Sequence, residues 1–162
     1  MRPGKYLNGK EIKKIQERLE EQFGCSFSGD YAYFQNEKKR IFLINKKVGE
    51  LPAHLRTDKP GLYTAEIMRD QSVRLSKEGV QLLAQEAKKG KKMRLLKNWI
   101  ALEKEEVKNY FQGMDLEKDL GTTSRLVLLS FQGDLFSCAK YQADRKIILN
   151  FLPKIHRGEV IL

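Results

Sequence analysis

Ile12, Ile15, Leu19 and Phe23 recur at spacings of three and four, while Lys13, Lys14, Glu17, Glu20 and Glu21 occupy the intervening positions. This period predicts an amphipathic helix, with Asn8 placed to cap its start and Gly24 to end it. The pattern then shortens to strands at 31–35 and 40–44, joined by the polar turn Asn36, Glu37, Lys38 and Lys39, which reads as a β-hairpin. Alternation places Ala32 and Phe34 on one face and Tyr31 and Tyr33 on the other. The stretch from Lys46 and Lys47 through Gly49, Pro52, Arg56, Asp58 and Lys59 to Pro60 is irregular and polar, with room for a short helical turn at 51–55. A division is expected here, between a helix-plus-hairpin unit at 1–59 and a second unit at 60–162.

Beyond that linker, 61–68 reads as a strand, and Ser76 opens a helix carrying Val80, Leu82, Leu83 and Ala87, with Glu78 in its first turn and Gly90 at its end. Six of the ten residues at 88–97 are basic: Lys88, Lys89, Lys91, Lys92, Arg94 and Lys97. A strand at 99–102 and a helix at 105–111, ending at Gly113, come next. Strands at 125–131 and 135–140 flank Gln132, Gly133 and Asp134, where Gly133 can take the positive φ of a tight hairpin. A loop at 141–145 leads to a last strand at 146–151, giving the closing third the look of a small antiparallel barrel. The whole order predicts an α+β fold with mostly antiparallel sheet.

Composition narrows the function classes. The 162 residues suffice to bury a core without metal or disulfide support. The 31 Lys and Arg against 21 Asp and Glu give a net charge of +10, which favours an anionic partner. No apolar run approaches the length of a membrane span, and the opening ten residues lack a signal-peptide core, so a cytoplasmic protein with no membrane partner is expected. Cys25 and Cys138 stand far apart outside any metal-ligand spacing and read as packed thiols. His54 and His156 are isolated, and no GxGxxG, P-loop, HExxH or GxSxG pattern occurs. The expectation is a protein that is not an enzyme and carries no cofactor or metal.

The candidate contacts are therefore cationic. Near the end, Lys146, Asn150, Pro153, Lys154 and Arg157 punctuate the apolar residues Ile147, Ile148, Leu149, Phe151, Leu152 and Ile155, as if a strand delivered a basic turn to the surface. Two readings stand for Asn150: a contact to nucleic acid, or a cap on the end of the strand. Lys91, Lys92 and Arg94 in the central basic run suit phosphate, and equally suit a solvated loop. The hairpin cations Lys38, Lys39 and Arg40, with Lys46 and Lys47, are weaker candidates. Tyr31, Tyr33 and Phe34 invite base stacking on a sheet, with core packing the competing role for Phe34. The acidic residues between Glu103 and Asp119 are interspersed with Lys104, Lys108 and Lys118 and read as a solvated helical face.

The residues Asn150, Pro153, Lys154 and Arg157, with Lys140 on the preceding strand, resemble the Asn-x-x-Pro-Lys-x-x-Arg ending of the PUA-like domain of Sun/Fmu-type rRNA cytosine methyltransferases. Looser likeness extends back through the hairpin at 31–44 and the strand and helix at 61–83, and takes in small stand-alone archaeal proteins classed with that family in ribosome biogenesis. The methyltransferase core and its Pro-Cys motif are absent, and Leu75, Ser76 and Lys77 stand where the family has Pro-Ser-His, so methyl transfer is not implied. The resemblance implies a PUA-like, mostly antiparallel pseudobarrel over 60–162. Its expected partner is structured RNA, ribosomal or pre-ribosomal, contacted by Lys140, Lys146, Asn150, Lys154 and Arg157. The alternative is an adaptor that docks on a separately encoded RNA methyltransferase or ribosome-assembly factor through the first helix and hairpin.

Overall fold

The computed structural model describes residues 4–46 and 61–162. The fold is α+β, with two five-stranded sheets and three helices among the described residues. The chain forms two compact units, 1–97 and 98–162. The expected linker and its helical turn lie outside the described residues, and so does the expected division at 59–60. The strands beyond it join the hairpin: the first sheet contains both.

In the first unit, β1 (Lys5–Tyr6), β2 (Tyr31–Gln35), β3 (Arg40–Asn45), β4 (Leu62–Ile67) and β5 (Val73–Leu75) lie side by side in chain order, every neighbour antiparallel. α1 (Gly9–Phe23) begins at Asn8, whose side chain accepts from Glu11 N–H while the Glu11 carboxylate accepts from Asn8 N–H, a reciprocal capping box. Its buried positions Ile15, Leu19 and Phe23 fall one per turn. Gln22, on the same helix, finishes the edge of the sheet: its amide donates to Val73 O at 3.0 Å and accepts from Val73 N–H at 2.8 Å. A side chain thus satisfies the backbone groups that an edge strand leaves bare.

α2 (Lys77–Lys89) starts at Ser76, whose hydroxyl accepts from Gly79 N–H, and it packs on β4 and β5. β4 carries a bulge at Thr64, between the pairs Phe42 with Tyr63 and Ile41 with Ala65, and Thr64 Oγ1 bonds Ile41 O at 3.2 Å. The bulge turns the Thr64 carbonyl toward α2. A Cβ on Gly79 would lie 2.0 Å from that oxygen, so α2 approaches β4 more closely than any side chain permits.

The second unit orders its strands β6-β8-β9-β10-β7, namely β6 (Trp99–Ala101), β7 (Leu116–Glu117), β8 (Arg125–Phe131), β9 (Asp134–Gln142) and β10 (Ile147–Leu149). Only β6 and β8 run parallel. The β8–β9 turn has Gln132 at φ 50 and Gly133 at φ 85, both left-handed as a two-residue hairpin requires. α3 (Lys104–Phe111) sends Val107 and Tyr110 into a core with Val127, Leu129, Ala139, Tyr141 and Ile148. The two buried phenols are both satisfied: Tyr110 meets Ser137 Oγ at 2.6 Å, while Tyr141 donates to Gly121 O and accepts from Leu120 N–H, each at 2.9 Å. The last strand is shorter than expected, because Lys146 takes a left-handed turn conformation at φ 53.

Gly79→Ala tests the packing of α2. Helix propensity alone favours alanine by about 1 kcal/mol, whereas the overlap with Thr64 O must push the helix off the sheet. A lower urea midpoint is the expected outcome, and a raised one would show that α2 can lift without cost.

Candidate nucleic-acid interface

Net charge separates with the units. Residues 1–97 hold 22 Lys and Arg against 12 Asp and Glu, and residues 98–162 hold 9 against 9, so the +10 of the chain belongs wholly to the first unit. The expected contact residues, seven cations and Asn150, fall in both. Lys91, Lys92 and Arg94 lie in the first unit; Lys140, Lys146, Asn150, Lys154 and Arg157 lie in the second.

Most of the C-terminal group is engaged within its own unit. Asn150 sits just past β10, where its Nδ2 donates to Tyr110 O at 2.6 Å and to Met114 O at 3.0 Å, and its Oδ1 accepts from Leu152 N–H at 2.9 Å. Its own N–H donates to Asp115 Oδ1 at 2.8 Å. The amide therefore ties the end of α3 to the C-terminal segment, the capping role. Arg157 donates through Nε to Leu152 O at 3.0 Å, its stem lying over Gly113 where a Cβ would be 2.7 Å away. Lys146 pairs with Asp119 at 3.1 Å on the surface. The Gly121 N–H, and then Lys146, hold the Asp119 carboxyl below the usual range. Lys140 is half-buried opposite Leu149, and Lys154 is exposed in a short 3-10 turn.

The central basic run has a different character. All eight residues from Lys88 to Leu95 are exposed, and Leu96 then turns inward as the buried anchor. The geometry begins with a Schellman ending to α2: Lys92 N–H bonds Ala87 O at 2.7 Å, Lys91 N–H bonds Lys88 O at 3.2 Å, and Lys91 occupies the left-handed position at φ 54. Lysine there accepts a strain that glycine would avoid. A 3-10 turn at Met93–Leu95 follows. Cations at a helix C-terminus complement its dipole, which accounts for one or two of them. Among the described residues none of the six cations at 88–97 has an ion pair, in contrast to Lys5 with Glu11, Arg74 with Glu66 and Lys46 with Asp30.

This basic knuckle docks against the end of α1. Lys97 N–H donates to Phe23 O at 2.9 Å, and Gly24, at φ 83, passes so close beneath the Leu95 carbonyl that a Cβ would lie 1.8 Å from it. A cavity of about 310 Å³ opens between them, with Glu20, Cys25, Ser26, Ser28, Glu86 and Lys92 in its walls. Glu86 is fixed by Ser28 Oγ at 2.5 Å and Tyr31 hydroxyl at 3.0 Å. Burial pushes the Cys25 thiol up, against the pull of the Lys92 charge, and Sγ lies 3.6 Å from Lys92 O. A thiol held protonated is no nucleophile, and Cys25 and Cys138 are both buried and form no disulfide.

The aromatic expectation is revised. Tyr33 is 2 % exposed, with its phenol pushed up to about 12 by burial, and the Tyr31 hydroxyl is committed to Glu86. Tyr33 therefore offers no stacking surface, and Tyr31 is half-buried with its hydroxyl serving the wall at Glu86. Phe34 packs instead in a cross-strand row, Tyr6–Phe34–Phe42–Tyr63, with ring centroids 5.4, 6.3 and 5.6 Å apart. In the apolar stripe of α1, Ile15, Leu19 and Phe23 are buried, the core role, and Ile12 is half-buried.

Sequence reading passed over Glu20 and Glu86. One signal was available: α1 ends in Glu20 and Glu21 with no basic residue in its last turn, a placement that opposes the helix dipole by about 0.3–1 kcal/mol each. No protein-family model and no curated protein matches the chain.

Asn150→Ala is expected to lower stability by about 2–4 kcal/mol, from three side-chain hydrogen bonds at roughly 1 kcal/mol each plus stranded carbonyls, without changing affinity for RNA. Chemical denaturation and a binding titration on the same preparation check both halves.

Proposed function

We propose that the protein is a non-catalytic RNA-binding protein whose phosphate contacts come from the basic knuckle at 88–97. The observation that carries this reading is the concentration, within ten residues from the last turn of α2 to Lys97, of six exposed cations with no ion pair among the described residues, in the unit that bears the whole net charge. Unpaired cations attract a polyanion because binding releases the counterions condensed on it. Caps at both ends of the turn fix their spacing, so little ordering is needed on association. Ribosomal or pre-ribosomal RNA is the target that the PUA-like ending suggests, and a role in ribosome biogenesis follows from it. Lys140 and Lys154 remain as contacts from the second unit, whereas Lys146, Asn150 and Arg157 serve its internal structure first.

Among the described residues no helix is long and apolar enough to cross a membrane. An anionic membrane surface would still attract the same cations, and the test separates the two partners. Lys91→Glu, Lys92→Glu and Arg94→Glu together should weaken binding to ribosomal RNA fragments by at least tenfold. The slope of log affinity against log salt should fall by about 2, on the order of 0.7 per lost phosphate contact. An unchanged slope, or binding to phosphatidylserine vesicles with none to RNA, would overturn the assignment.

A further inference from the structure

We infer that the cavity between the end of α1 and the basic knuckle receives one unstacked guanine base, with the knuckle holding the phosphates on either side. The inference rests on the RNA-binding reading and names what that site would select. RNA is read in sequence mainly where bases are splayed out and hydrogen-bonded along their edges. The cavity, at about 310 Å³, is at the small end of ligand sites and opens beside the exposed cations. Its walls are mixed. The exposed Leu95, beside Gly24, provides apolar surface for the face of a base, and the exposed residues Glu20 and Lys92, of opposite charge, also line the cavity.

That pair of charges chooses among the bases. A carboxylate has two oxygens and only accepts hydrogen bonds. Guanine alone of the four RNA bases presents two adjacent N–H donors on its Watson–Crick edge, N1 and N2, and its O6 and N7 accept from a cation. Adenine and cytosine place an acceptor beside their amino group, and uracil places one on each side of its single N–H. Glu20 is suited to the role because, among the described residues, its one side-chain bond, from Ser26 Oγ, is long at 3.3 Å and leaves Oε2 open. Glu86 is not: it already accepts from Ser28 N–H, Ser28 Oγ and Tyr31, and so serves to hold the wall in place.

The test compares short fluorescein-labelled oligouridines that carry one central guanosine, inosine or adenosine, titrated by anisotropy at fixed salt. Inosine lacks only the N2 amino group. The wild-type protein should bind the guanosine oligomer roughly 5- to 100-fold more tightly than the other two. Glu20→Gln should weaken binding of the guanosine oligomer until it equals that of the inosine oligomer, while the adenosine oligomer binds as well as before or slightly better through the lost negative charge. Equal, salt-sensitive affinity for all three oligomers would overturn the guanine pocket while leaving RNA binding standing, as would a preference that survives Glu20→Gln. Absence of binding to any of them would overturn the guanine pocket, and absence of binding to ribosomal RNA fragments as well would overturn both readings. The comparison on wild-type protein needs no variant, so a misfolded mutant cannot decide it.

Discussion

One backbone contact organises the candidate site: the ends of α1 and α2 are brought together where Lys97 N–H reaches Phe23 O and Gly24 passes under the Leu95 carbonyl. Without it the basic run would be the trailing end of a helix. With it, Leu96 is drawn into the core and the eight residues before it are pushed outward as a shaped turn. The Schellman ending and the 3-10 turn are local responses to this closure, since each satisfies carbonyls that the end of α2 leaves bare. The cavity is its other product, because two helix ends that meet at single backbone atoms leave room beside the contact.

Electrostatics follow the same division of labour. The second unit is neutral and spends its polar groups on its own frame: Arg125 donates to Asn98, Leu120 and Thr123 and lies over Tyr141, while Asn150 and Arg157 tether the C-terminal segment. A guanidinium that bonds several carbonyls has little left for a ligand. The first unit keeps its surplus on the outside, where desolvation is small and the field acts at a distance of about a Debye length, roughly 8–10 Å at ordinary salt. Charge that is structural and charge that is available differ by partner, not by residue type.

Legibility in the sequence tracked the range of the interactions. Asn8, Ser76, Gly24 and Gly90 marked helix ends because caps depend on neighbours three or four residues away. The hairpin turns were readable for the same reason. β1, β5 and β7 were not foreseen, because two or three residues cannot display a period and these strands exist only by pairing with distant partners. The bulge at Thr64 and the role of Gly79 escaped likewise, since each is defined by the other across the sheet. Of the eight cationic and amide candidates, the sequence could name the residues but not rank them: Arg157 is bonded to the Leu152 carbonyl and Arg94 has no ion pair among the described residues, a difference that only tertiary partners make.

The amino-acid order by itself determined the helices, the hairpins, the α+β class and an excess of cations, all of which arise from periodicity, capping and composition along a short stretch of chain. Tertiary structure alone decided that β4 and β5 join the first sheet, that the surplus charge resides in the first unit and that the end of α1 meets the basic knuckle. The physical reason is distance. A cap or a period is fixed by residues a turn apart, whereas an ion pair, a bulge facing a glycine or a wall shared by Glu20 and Lys92 exists only once the chain has folded back on itself.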